Sequence, residues 1–202
     1  MNGKLTFGAK PNVLRCGRCG KFVDWEDARL QIVCGCRPHL DLPPVLVRQA
    51  SPSDRAKALE LFRRDFGPAQ LMAYGGAVSL EDAETLVAET EQEIAGALAW
   101  RHFDDAFHIM ALATDPMWQR AGVGGHLVAE AELLARGQQQ PRVIVTITND
   151  NLPALYFYQR RGYRLAAVLP DSVAAHAGTH DAIGFAGIPI KDELQLVKAL
   201  HI

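Results

Sequence analysis

The first regular pattern along the chain is the alternating run Val-Leu-Val-Arg at 45–48, which predicts a strand. Ser51-Pro52-Ser53-Asp54 follows with the form of a helix start: Ser51 as N-cap, Pro52 at the first helical position and Asp54 answering as a capping box. Leu59, Phe62 and Phe66 then recur at helical spacing, and Gly67-Pro68 stops the helix. Residues 69–83 carry no single period; Gly75-Gly76 marks a turn, and 79–83 could form a short helical piece. Three strand-like runs come next, at 85–89, 94–102 and 106–114, and the short polar stretches between them predict an antiparallel meander.

Helical periodicity returns at 123–136, where Val123, Leu127, Ala131 and Leu134 form an apolar stripe that Gly137 ends. The β-branched run inside 142–148 predicts a strand buried on both faces. Asn151 as N-cap, Pro153 in the first turn and Gly162 at the end bound a helix over 152–161. Strands are expected at 163–169 and 193–200, with a glycine-bearing loop over 170–190. This order predicts a mixed α/β fold, α+β in arrangement, around one mixed central sheet.

Composition bounds the reading without changing it. A chain of 202 residues, 49% hydrophobic and 22% charged, suits one soluble globular domain with a small appendage. The connector Pro43-Pro44 divides it into 1–42 and a main domain over 45–202. No run approaches the roughly 18 apolar residues of a membrane span, so no membrane association is expected. Residues 1–10 carry two lysines with no apolar stretch behind them, unlike a secretory signal, which makes the cytoplasm the expected location. Residues 1–50 hold eight Lys/Arg against four Asp/Glu, leaving 13 against 19 for the rest. Residues 1–42 nevertheless hold no Lys/Arg cluster, which argues against nucleic acid as a partner.

All four cysteines fall in the basic segment, as Cys16-x-x-Cys19 and Cys34-x-Cys36. That is the ligand arithmetic of a structural zinc site, and Cys16-Gly17-Arg18-Cys19-Gly20 resembles a zinc-ribbon knuckle. His39 could replace one ligand, and a pair of disulfides is the alternative suited to an oxidising compartment. The main domain has no cysteine, so a thiol nucleophile there is excluded.

Gly122, Gly124 and Gly125 lie between the strand ending near Thr114 and the helix starting near Val123. Glycines let a polyanion approach the backbone amides, the helix N-terminus adds partial positive charge, and Arg120 adds a full one. The spacing matches neither the Walker loop nor the dinucleotide fingerprint. Gln119-x-x-Gly122-x-Gly124, preceded by Asp115-Pro116, resembles the acetyl-CoA motif of the GNAT acetyltransferase superfamily. Asn151-x-x-Ala154-x-x-x-Tyr158-x-x-x-Gly162-Tyr163 is similar to a second signature of that family, with Tyr in place of its final Phe.

The resemblance runs from about Val45 to the C-terminus and implies a GNAT fold carrying an N-acetyltransferase that uses acetyl-CoA as cosubstrate. It implies that Leu112, Ala113 and Thr114 pair with the pantetheine arm. Gln119 would open a pyrophosphate site made of the amides of Arg120, Ala121, Gly122, Val123, Gly124 and Gly125. Asn151 would hydrogen-bond pantetheine, and Tyr158 would protonate the departing thiolate. His108 is the first choice of base, on the same alternation as Met110, Leu112 and Thr114. His102, Asp104, Asp105, Glu81, His176, His180 and Asp181 are further polar candidates. The acceptor is an amine, in a small molecule or a protein; its identity lies in loops, and assembly as a homodimer is open. A non-catalytic acyl-CoA sensor, with the zinc ribbon binding a macromolecular partner, is the alternative function.

Overall fold

Chain order runs β1 (Gly3–Leu5), β2 (Val13–Cys16), β3 (Phe22–Asp24), β4 (Leu46–Gln49), α1 (Arg55–Phe66), β5 (Gln70–Ala73), β6 (Gly76–Ser79), β7 (Glu84–Glu89), β8 (Ile94–Phe103), β9 (Ala106–Thr114), α2 (Val123–Gly137), β10 (Arg142–Thr148), α3 (Leu152–Gln159), β11 (Arg164–Leu169) and β12 (Glu193–Ala199). The computed structural model describes residues 3–5, 13–16, 22–24, 70–73 and 76–78 by their backbone, and 44–67, 79–90, 93–103, 106–119, 121–173 and 182–200 with side chains. Seven strands form the main sheet in the order β11-β12-β10-β9-β8-β7-β4. Every neighbouring pair in it is antiparallel except β9 with β10, joined by the crossover through α2.

Helix α1 covers one face of the sheet. Its Ala58, Leu61 and Phe62 pack against Val87, Ala97, Ala99, Met110, Ala111 and Ala113. Helices α2 and α3 cover the other, where Val123, Leu127, Val128, Ala131 and Tyr158 meet Leu98, Trp100, Phe107, Ile109, Val143 and Val145. The mixed α/β reading and the strands at β7, β8, β9 and β10 therefore stand. Among the described residues no helix is long and apolar enough to cross a membrane.

Four local expectations need correction. Helix α1 begins at Arg55, with Asp54 rather than Ser51 at its cap; Ser51 N–H and Oγ do donate to Asp54 Oδ2, at 2.7 and 2.6 Å, but 52–54 form a turn ahead of the helix. The Arg48 guanidinium grips the same carboxylate at 2.6 Å and ties that turn to β4. Phe66 sits at the exposed end of α1, and its inward stripe runs through Ala58, Leu61 and Phe62 instead. Part of the ambiguous stretch 69–83 is the hairpin β5–β6, and 80–83 is turn and bend rather than helix. Strands β1, β2 and β3 make a small antiparallel sheet. Cys16 ends β2, whereas Cys19, Cys34, Cys36 and His39 lie outside the described residues.

Candidate active site

Strand β9 changes character at its middle. Phe107, His108 and Ile109 pair in parallel with Val143, Ile144 and Val145, and there the pairing with β10 stops. On its other edge β9 stays paired with β8 to its end, across a bulge: Trp100 faces Ile109 and Ala99 faces Ala111, leaving Met110 as the extra residue. Asp115 N–H donates to Ala95 O at 2.9 Å, so Ala95/Asp115 and, by alternation, Ala97/Ala113 are hydrogen-bonded pairs of the β8–β9 ladder. Leu112 and Thr114 therefore turn their N–H and C=O groups towards β10, into the gap where the two strands part. Ala113 turns its own to β8.

The bulge also revises the alternation expected along β9. His108 and Met110 share the α1 face with Ala111 and Ala113, while Leu112 packs on the α2 face. His108 is buried, edge-on to the Phe103 ring at 5.2 Å, and separated by the sheet from the face that Leu112 occupies.

Below the gap stands the glycine turn. Gly122 is the N-cap of α2 at φ +91°, a left-handed conformation that costs an L side chain about 1–2 kcal/mol. Its carbonyl accepts from Gly125 and His126 N–H at 2.8 and 3.1 Å, and no side chain caps the helix. An uncapped N-terminus keeps its first amides and partial charge for an anion. Helix α3 contrasts with it: Asn151 Oδ1 accepts from Ala154 N–H at 3.1 Å, so the capping role read from sequence is in place. Gly96 in β8, passed over in the sequence, brings α2 to this position. A Cβ there would stand 2.9 Å from both Ala113 O and Val123 Cγ1, so only glycine lets α2 settle so closely on the sheet. Arg120 lies outside the described residues; Gln119 Nε2 donates to Thr114 O at 3.5 Å.

Two further side chains stand out, one at the open end of β9 and one in the core under α3. Arg64 of α1 donates to Thr114 O at 2.9 Å, and its hydrogen bond to Asp65 raises its pKa above the usual guanidinium range. Tyr158 of α3 is 4% exposed, with its ring 5.2 Å from that of Tyr163. Gly162 at φ +86° and the bond from Tyr163 N–H to Tyr158 O, 3.2 Å, turn the chain so that the two rings meet. Burial, reinforced by the charge of Glu132, pushes the Tyr163 phenol far above its usual range, and its ring packs in the core against Tyr158. Beyond β10, Asn149 Oδ1 accepts from Lys191 and Asp192 N–H at 2.9 and 3.1 Å, and Asp150 Oδ2 accepts from Phe185 N–H at 3.0 Å. These two residues, also unmarked in the sequence, pin the loop before β12 to the end of β10. Of the further polar candidates, His102 packs edge-on to Trp100 and Phe107, and Glu81 is exposed and paired with Arg63. Asp104, Asp105, His176, His180 and Asp181 lie outside the described residues.

The family model of the acetyltransferase (GNAT) family matches residues 52–163, which span α1 through the turn after α3. The chain belongs to that family. As a GNAT N-acetyltransferase it is 30% identical over 154 residues to the uncharacterized protein YxbD of Bacillus subtilis (strain 168), covering 74% of this chain and 94% of that protein. Blasticidin-S acetyltransferase of Streptomyces morookaense is 35% identical over 92 residues, 46% of this chain and 67% of that one. Among solved structures, a Bacillus subtilis acetyltransferase in complex with CoA shares the fold, with a TM-score of 0.64 at 19% identity over 78% of this chain and all of that one (100%).

Proposed function

We propose that this GNAT protein moves an acetyl group from acetyl-CoA to a primary amine, of a small molecule or a protein, by direct attack of the amine on the thioester. The observation that carries the reading is the open half of β9: Leu112 and Thr114 aim their backbone groups into a gap that ends at an uncapped, glycine-lined helix N-terminus. A pantetheine arm carries amides and would add to β9 as a partial strand, with its pyrophosphate on the amides of Gly122, Val123 and Gly124, those of Ala121 and Gly125 being bonded to Trp118 O and Gly122 O, and on Arg120. Thr114 O is already taken by Arg64, so Leu112 N–H, Leu112 C=O and Thr114 N–H are the groups left for the arm. Asn151, the N-cap of α3 just beyond β10, would hydrogen-bond the arm. The blasticidin-S acetyltransferase and the CoA-bound relative support this choice of cosubstrate.

The chemistry then divides among named groups. The amine nitrogen forms its bond to the thioester carbon, and a β9 backbone N–H at the bulge holds the oxyanion. As the carbon–sulfur bond breaks, Tyr158 gives its phenolic proton to the thiolate. His108 takes the proton the amine must lose, with the acceptor arriving from the α1 face. Acetyl-CoA-dependent release of CoA, screened over amines, amino acids and peptides with Tyr158→Phe as control, tests this; no acceptor-dependent release from any class would sink it.

We further propose that Cys16, Cys19, Cys34 and Cys36 bind one structural zinc ion, on the support of their spacing alone. Metal analysis of the purified full chain should find about one zinc per protein. A metal-free chain that folds normally would refute the site.

A further inference from the structure

In the second family signature Arg161 occupies a position that the motif leaves open, between Tyr158 and Gly162. The structure gives it a defined place. Its guanidinium lies over the Phe157 ring, 3.6 Å from Cζ to the ring centroid, and Nη1 donates to Phe157 O at 3.0 Å. Nη2 stands 2.6 Å from where a Cβ on Gly125 would be, and the Phe157 ring is 3.6 Å from the same point on Gly124. The turn after α3 thus delivers a full positive charge to the first turn of α2, and the space it uses exists because residue 125 has no side chain.

This cation is short of a counter-charge. Arg48 has Asp54 and Glu89, and Arg64 has Asp65, but among the described residues no carboxylate lies within ion-pair distance of Arg161. The nearby Glu132 is held by Lys198 at 2.6 Å. Burial draws the Arg161 pKa below its usual value, the mark of a guanidinium partly stripped of water. Beside it is a helix N-terminus whose partial charge is also positive, so the two raise each other's need for an anion. Stacking on Phe157 fixes the fork in place, and a fixed guanidinium fork fits the geometry of a phosphate.

We propose that Arg161 binds a phosphate group of CoA, with Gly125 giving the guanidinium its place against the turn. The inference rests on the reading of that turn as the CoA site. Calorimetric titration of CoA and of pantetheine, which lacks the phosphates, into the wild-type chain, Arg161→Ala and Arg161→Gln tests it. The expected result is a CoA affinity lowered about tenfold or more in both variants, the usual loss for a charge-assisted bond, with pantetheine binding unchanged. A deficit that disappears with 3′-dephospho-CoA assigns the 3′-phosphate, and one that persists assigns the pyrophosphate; both support the proposal. CoA affinity unchanged in the variants overturns it and leaves the cofactor reading intact, as does an equal loss for CoA and pantetheine, which would mark Arg161 as a packing residue. A wild-type chain that binds no CoA would overturn the cofactor reading itself, and this inference with it.

Discussion

The two halves of β9 have similar composition and opposite roles. Residues 107–109 are paired on both edges and buried between two helical layers. From Met110 onward the strand keeps β8 and loses β10, so Leu112 and Thr114 hold backbone groups with no strand opposite them. A buried backbone donor without a partner costs free energy, and a fold retains such an edge where a ligand completes it. The stability of this strand and its capacity to bind therefore occupy successive residues, and substitutions on either side of Met110 should separate the two properties.

The largest effect is expected in the closed half. Phe107 is fully buried and stacked on Trp100 at 4.4 Å, so Phe107→Ala should cost about 3–5 kcal/mol, read as a lowered denaturant midpoint, while kcat of the molecules that stay folded is preserved. For the groups proposed to serve the open half, on α3 and at the start of α2, the expected signature reverses. Tyr158→Phe should lower kcat by about a hundredfold or more with CoA affinity retained, measured by steady-state kinetics beside calorimetry; a normal kcat would remove the acid from the mechanism. Gly122→Ala acts on both properties at once, because the left-handed cap costs about 1–2 kcal/mol and the turn is the proposed anion site; thermal melts and CoA titration should both move. The smallest effect lies far from the gap. Hydrogen bonds from Arg48 and then Ser51 hold the Asp54 carboxyl well below the usual range, so its folded pKa is depressed. Its contribution is complete above the unfolded carboxylate pKa of about 3.9 and is lost as pH falls below it. Asp54→Asn should therefore lower Tm modestly at pH 7, with a deficit that shrinks in acid; a deficit independent of pH would assign the loss to packing.

Much of this was legible before the fold was known, for physical reasons that differ along the chain. Strands β7 to β10 are dense in apolar and β-branched residues and bounded by polar turns, and Asn151 with Pro153 spells a helix start, so local chemistry and tertiary structure agree. The bulge at Met110 left no trace, because nearly every position of Ala-Phe-His-Ile-Met-Ala-Leu-Ala-Thr is apolar and a one-residue slip alters no pattern. Simple alternation therefore puts His108 on the same face as Leu112 and Thr114, and the bulge puts it on the other. Gly96 looked like one small residue in a run of alanines, and its need appears only when α2 is laid against it. Arg161 carries no signal in the sequence, since the ring beneath it and the glycine beside it come together only when α3 and α2 are packed. The glycine turn and the start of α3 were thus readable from motifs, whereas the hold of Asn149 and Asp150 on a loop more than thirty residues further on, as in the Asp150–Phe185 bond at a separation of 35, appears only in the fold.

Amide hydrogen exchange by NMR, with and without saturating acetyl-CoA, tests the central claim most directly. If the open half of β9 is the cradle of the cosubstrate, the amides of Leu112 and Thr114 should gain protection on binding while that of Ala113, bonded to β8 in either state, should not change. Exchange at Leu112 and Thr114 unaffected by bound acetyl-CoA would contradict the account.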